Sequence, residues 1–224
     1  MGSEEGVYPR LKLGPAPPDR PCVFINMVAT IDGKTVSGGR EEPVHDIGSE
    51  LDHATMRQIE SAADAVMIGA GSLRATPALH YPSGLKRVVV SGSGDVPADS
   101  RFFTDDPEQA FLATHRGTKA PQGVKTILCG ESAIDWTLLL RTLRREHGVE
   151  RLLVEGGSEI NASLLALDLV DELFLTLAPK VKLGRGLPTY AGGEPLPRDK
   201  MLRFSLLSCT PVGDELFVRY RRDR

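Results

Sequence analysis

Short apolar runs alternate with amphipathic stretches along most of this chain. Residues 23–29 are apolar apart from Asn26 and lead into the polar turn Thr30-Ile-Asp-Gly-Lys34, a pattern that predicts a buried strand and its exit. Ser49, followed three residues later by Asp52, has the form of a capping pair, and Leu51, Ala54, Ile59 and Ala62 then share one helical face. Runs at 65–69, 87–91, 110–114 and 124–129 predict further strands; the first ends on Gly69-Ala-Gly71, and Thr76-Pro77 breaks the segment after it. The clearest helix starts after Asp135. In it Trp136, Leu139, Leu140 and Leu143 recur at i, i+3, i+4 and i+7, the last turn is basic, and Gly148 closes it. Residues 151–154 then run into Glu155-Gly-Gly-Ser158, and a helix with Ile160, Leu164 and Leu165 inward is predicted over 159–169. Segments 171–180, 203–209 and 215–221 alternate like strands.

Brief strands separated by amphipathic helices imply an α/β fold with a mostly parallel sheet covered on both faces. The three late strands have no helix between them, so an antiparallel edge is expected to close the sheet. There is no internal repeat. Residues 1–20, polar and proline-rich, read as a flexible extension, 21–224 as a single domain, and 184–197 as a loose Gly/Pro tract.

Composition narrows the function classes. The chain has 224 residues, 41% of them apolar and 25% charged, enough for one large core. A formal net charge of −3 offers no basic stripe, so nucleic acid is a poor partner. No signal peptide and no stretch long enough to span a bilayer is visible, which points to a soluble, cytoplasmic protein. Cys22, Cys129 and Cys209 are odd in number, widely spaced and each in an apolar stretch, as core thiols would be. His45, His53, His80, His115 and His147 are scattered without metal-ligand spacing, so no metal is expected, and His80 is the one nearest the candidate site.

An open α/β sheet takes its ligands beyond the carboxyl ends of its strands. Those ends supply Thr30, Asp32 and Lys34, then Gly69 to Ser72, then Ser91 to Ser93, then Glu155 to Ser158. Glycine pairs ahead of a helix let a pyrophosphate reach backbone N–H groups that a side chain would hold it away from. Taken alone, the same residues also fit tight turns without a ligand. Glu155 could equally cap a helix or pair with Arg151, and Lys34 could be a solvated loop lysine.

The combination is more specific. Phe24-Ile-Asn-Met-Val-Ala-Thr-Ile-Asp-Gly-Lys34, Ala65-Val-Met-Ile-Gly-Ala-Gly-Ser72, Leu153-Val-Glu-Gly-Gly157 and Leu169-Val-Asp-Glu-Leu173 with Ala178-Pro-Lys resemble the reductase of riboflavin biosynthesis. In many bacteria that reductase is the C-terminal half of a bifunctional deaminase-reductase. The resemblance runs from about Cys22 to the last strand. It implies a dihydrofolate-reductase-like fold, NADPH as cofactor, and reduction of the ribosyl group of 5-amino-6-(5-phosphoribosylamino)uracil to ribityl.

It also implies that Lys34 and Glu155, with Asp32 of the same Asp-Gly-Lys turn, form the catalytic group. Thr30, Gly69, Gly71, Ser72, Thr76, Ser91, Gly156, Gly157 and Ser158 then serve the cofactor. A homodimer is implied as well. The deaminase motifs His-x-Glu and Pro-Cys-x-x-Cys are absent from these residues, so deamination is expected from a separate protein. Two positions depart from the family: Glu60 and Pro82 stand where arginines serve the substrate phosphate, and Arg40, Arg57, Arg74 and Lys86 are the available substitutes. The departures leave open an NADPH reductase with another substrate, such as a pterin, a carbonyl compound or another pyrimidine. A nucleotide-binding protein without turnover is the remaining alternative.

Overall fold

The computed structural model describes residues 6–39, 42, 44 and 46–224. Its centre is a nine-stranded sheet. In chain order the elements are β1 (Cys22–Thr30), α1 (Glu50–Glu60), β2 (Ala65–Gly69), α2 (Ala70–Ala75), β3 (Lys86–Val90), α3 (Arg101–Thr104), β4 (Ala110–Thr114) and β5 (Lys125–Leu128). Then come α4 (Trp136–Arg145), β6 (Arg151–Val154), α5 (Ser158–Ala166), β7 (Glu172–Ala178), β8 (Phe204–Val212) and β9 (Glu215–Arg222). The strands lie in the order β5-β4-β3-β2-β6-β1-β7-β9-β8.

All neighbouring pairs from β5 to β7 are parallel; only β7–β9 and β8–β9 are antiparallel. The three late strands thus form the antiparallel edge that their alternation, with no helix between them, predicts, and β7 also pairs parallel with β1 to join that edge to the parallel part of the sheet. β7 follows the crossover helix α5, and a crossover returns the chain parallel to β1. The hairpin of β8 and β9 turns on Gly213, at φ +57°, which suits the left-handed position of a tight hairpin.

Strand residues alternate between two cores. Val23, Ile25, Ala65, Met67, Leu152 and Val154 face one side, where Leu139, Leu140 and Leu143 of α4 and Ile160 and Leu164 of α5 cover them. Phe24, Val66, Ile68 and Leu153 face the other, with Ile59 of α1, Leu73 of α2 and Phe102 and Phe103 of α3. Ser49 and Asp135 cap α1 and α4 as their spacing predicts, accepting from the N–H groups of Asp52 and Leu138. The short helices α2 and α3 carry too few apolar repeats to stand out in the sequence.

Residues 6–20 do not hang free of the domain. Tyr8 packs edge-on against Phe174 with ring centroids 5.3 Å apart, Val7, Leu11 and Leu13 join the same core, and Arg20 is held by Asp171 at 2.7 Å. Their polar, proline-rich composition masked four apolar residues that join this core. Cys22 and Cys129 are buried as expected, but Cys209 is exposed, because the edge strand β8 has one face without a covering layer.

Candidate active site

The carboxyl ends of β1, β2 and β6 meet where the sheet order departs from the chain order, and a cavity of about 510 Å³ opens there. The glycine turns form one wall. Gly69 N–H donates to Gly156 O at 2.8 Å, and Glu155 N–H donates to Met67 O at 3.1 Å, so the end of β2 and the turn after β6 are one hydrogen-bonded unit. A Cβ on Gly69 would lie 3.4 Å from Gly157 N, and one on Gly156, at φ +79°, 3.2 Å from Met27 Sδ. The Gly156–Gly157 peptide is cis.

Both α2 and α5 begin on a glycine, Gly69 and Gly157, with no side chain capping the first turn. The residues thus fit a nicotinamide dinucleotide: close backbone contact excludes side chains, and the start of α5 offers free amides and the positive end of a helix dipole.

Gly69, Gly71, Ser72, Thr76, Glu155, Gly157 and Ser158 all line the cavity. Gly156 lies just behind, bonded to Gly69. Thr30, Asp32, Lys34 and Ser91 are not among the lining residues. Thr30 Oγ1 accepts from Lys34 N–H at 2.9 Å and donates to Asp32 Oδ1 at 2.7 Å, which folds the Asp-Gly-Lys turn on itself. The Asp32 carboxylate also accepts from Lys182 N–H at 3.0 Å and Leu183 N–H at 2.8 Å. The Thr30 hydroxyl first, and these amides with it, hold the Asp32 carboxyl down at about 2. Asp32 is thereby committed to joining two loops. The turn brings Thr35 to the cavity, next to Lys34. Ser91 Oγ accepts from Gly94 N–H at 3.0 Å and closes the turn after β3.

Tyr81 is a site residue that periodicity gave no means of finding, an isolated aromatic between Thr76-Pro77 and a Pro-Ser-Gly turn. It is 5% exposed and its hydroxyl donates to Glu155 Oε2 at 2.8 Å. Glu60, which the sequence marks only as a departure from the family, is buried close enough to Glu155 to feel its charge, while Pro82 is exposed. Among the described histidines it is His53 that lines the cavity, and His80 is exposed, because α1 turns His53 inward whereas the loop after α2 points His80 out. The described lining holds Glu42, Asp52, Glu155 and Glu159 but no lysine or arginine. Arg40 and His45 lie outside the described residues.

The family model described as the RibD C-terminal domain matches residues 21–218. The 2,5-diamino-6-ribosylamino-4(3H)-pyrimidinone 5′-phosphate reductase of Methanothermobacter thermautotrophicus is 29% identical over 219 residues, covering 90% of this chain and 98% of that protein. Riboflavin biosynthesis protein RibD of Actinobacillus pleuropneumoniae is 27% identical over 216 residues, covering 90% of this chain but 57% of its own length. Of solved structures, a pyrimidine reductase-like protein from Corynebacterium diphtheriae superposes with a TM-score of 0.74 at 20% identity, over 92% of this chain and 93% of that one. Acinetobacter baumannii RibD gives 0.77 at 20% identity, over 92% of this chain and 59% of that one. These likenesses establish the dihydrofolate-reductase-like fold of RibD reductases.

Proposed function

This chain belongs to the RibD C-terminal domain family, and from that premise we propose that it is an NADPH-dependent reductase of a phosphorylated ribosylaminopyrimidine in riboflavin biosynthesis. A reductase of this family implies a nicotinamide cofactor, which supplies hydride to the ribosyl C1′. The protein's part is to hold both reactants in register and exclude water. Gly69, Gly71, Ser72, Thr76, Gly156, Gly157 and Ser158 hold the dinucleotide. Glu155 faces the pyrimidine, Lys34 serves the sugar or its phosphate, and Asp32 with Thr30 positions the lysine turn. Ser91 shapes the neighbouring loop.

The observation that carries this reading is the Glu155-Gly156-Gly157 turn, which sets a carboxyl beside an uncapped helix start at the cavity. The substrate takes one of two forms named among the relatives: the 2,5-diamino pyrimidinone of the archaeal reductase, or the 5-amino uracil reduced by the Thermotoga maritima deaminase/reductase. Near-complete coverage of the archaeal protein favours the diamino form alongside the uracil. A homodimer through the exposed edge strand β8, with Leu206 and Leu207 at its surface, completes the proposal, and deamination is assigned to another zinc-dependent unit.

Loss of NADPH absorbance with each pyrimidine offered in turn tests the reading. Turnover of either supports it; tight NADPH binding without turnover of either overturns it. That second result would favour an unphosphorylated substrate, a reading motivated by the absence of lysine and arginine from the described cavity lining.

A further inference from the structure

Behind Glu155 the cavity floor hides a second carboxyl. Asp52, Met56 and Glu60 recur every fourth residue on one face of α1. The first two line the cavity, and Glu60, one turn deeper, is 5% exposed. Tyr81 bonds Glu155 Oε2, while Glu155 Oε1 is buried with no partner. The charged groups facing this cluster are Arg57 on α1, which acts on Glu60, and Arg87 on β3, which acts on Tyr81; Glu42, Asp52, His53 and Glu159 line the same cavity.

We propose that Glu60 is a positioning residue for Glu155, and that these two carboxyls and the Tyr81 phenol together form a proton store drawn on through Oε1 of Glu155. Burial raises both carboxyls above the usual range. The Glu155 charge adds to the rise at Glu60, and the Tyr81 bond opposes the rise at Glu155.

The inference rests on the reduction proposed above, in which the ribosyl ring must open before C1′ is reduced. The proton leaves Glu155 Oε1 for the ring oxygen as its bond to C1′ breaks, and the bonding pair stays on that oxygen. The lone pair of the exocyclic nitrogen closes the C1′=N bond, and Glu155 is left as a carboxylate to be reprotonated through the pair or from water. Asp52, also raised by burial, stands apart at the other end of the helix and hydrogen-bonds Thr176.

Two measurements on the free enzyme need no turnover. Infrared titration of the wild type is expected to show a neutral carboxylic-acid band that persists at pH 7 and weakens in Glu60→Gln. Melting temperature supplies the second. Because both carboxyls are raised in the fold, the folded chain binds more protons than the unfolded one between about pH 4 and about pH 8, so stability falls as pH rises through that window. Glu60→Gln removes one of these ionisations. Its melting temperature relative to wild type is therefore expected to rise at alkaline pH and not at pH 5.

In turnover, the alkaline limb of kcat/KM is expected to move down by about one pH unit in Glu60→Gln. Tyr81→Phe deletes the bond that favours the carboxylate and is expected to move it the opposite way. A purely structural role would not separate the two directions. No neutral-acid band in the wild type at pH 7, or two variants whose limbs stay put or move together, overturns the proposal. The wild-type spectrum and Tyr81→Phe keep the test open to failure even where Glu60→Gln does not fold. An intact band and melting behaviour with no NADPH oxidation would uphold the proton store and overturn the reductase assignment alone.

Discussion

Helices α4 and α5 stand on the same face of the sheet and begin in opposite ways. Asp135 closes the start of α4, its side chain accepting from Leu138 N–H at 2.9 Å, and Leu139, Leu140 and Leu143 are fully buried beneath it. Arg144 and Arg145 in its last turn complement the negative end of the helix dipole. By contrast α5 starts at Gly157 with no side chain capping its first turn, although the cavity opens there. One helix is satisfied by its own sequence. The other leaves amides unpaired beside the cavity, at a position where glycine would let an occupant come close to the backbone.

Three substitutions press on that contrast. The largest effect is expected from Leu140→Ala, which empties a fully buried position of α4 and is expected to cost about 2–5 kcal/mol in urea unfolding. A loss under about 1 kcal/mol would mean that α4 is not held by packing. NADPH affinity should be unchanged in any fraction that remains folded. Next, Gly157→Asp gives α5 the kind of carboxylate that α4 carries. Like charge against the cofactor phosphates is expected to weaken NADPH binding about a hundredfold by calorimetry. Unaltered affinity would remove the cofactor from the start of α5. Smallest is Asp135→Ala, expected to lower stability by about 1 kcal/mol with no change in NADPH affinity. If affinity fell too, the two helix starts would be coupled and the contrast would lose its meaning.

Much of the fold could be read because burial and periodicity agree. Residues 22–30 and 65–69 are wholly or nearly wholly apolar since both faces of a central parallel strand are covered, and the stripe of α4 matches its buried side. The antiparallel edge of β7, β8 and β9 was legible because no helix separates those strands. Local order misled at Cys209, since an apolar stretch does not show which face is covered. Residues 6–20 were obscured by their prolines, although Tyr8 and Leu13 carry the packing.

The site divides in the same way. In the candidate site Gly69, Gly156 and Gly157 were legible because glycine before a helix carries a local meaning. Asp32 was legible as a turn residue, but its bonds to Lys182 and Leu183 span 150 and 151 positions and leave no local trace. His53 likewise reaches the cavity only through the packing of α1.

By itself the sequence determined the strand and helix order, the glycine turns and the family, all of which rest on neighbours within a few residues. Only the tertiary structure decided that Tyr81 meets Glu155 across 74 positions and that Glu60 is buried beside them. The hydrogen bond and the shared burial that tie these groups together arise when α1, the loop after α2 and β6 converge, a proximity that no spacing along the chain encodes.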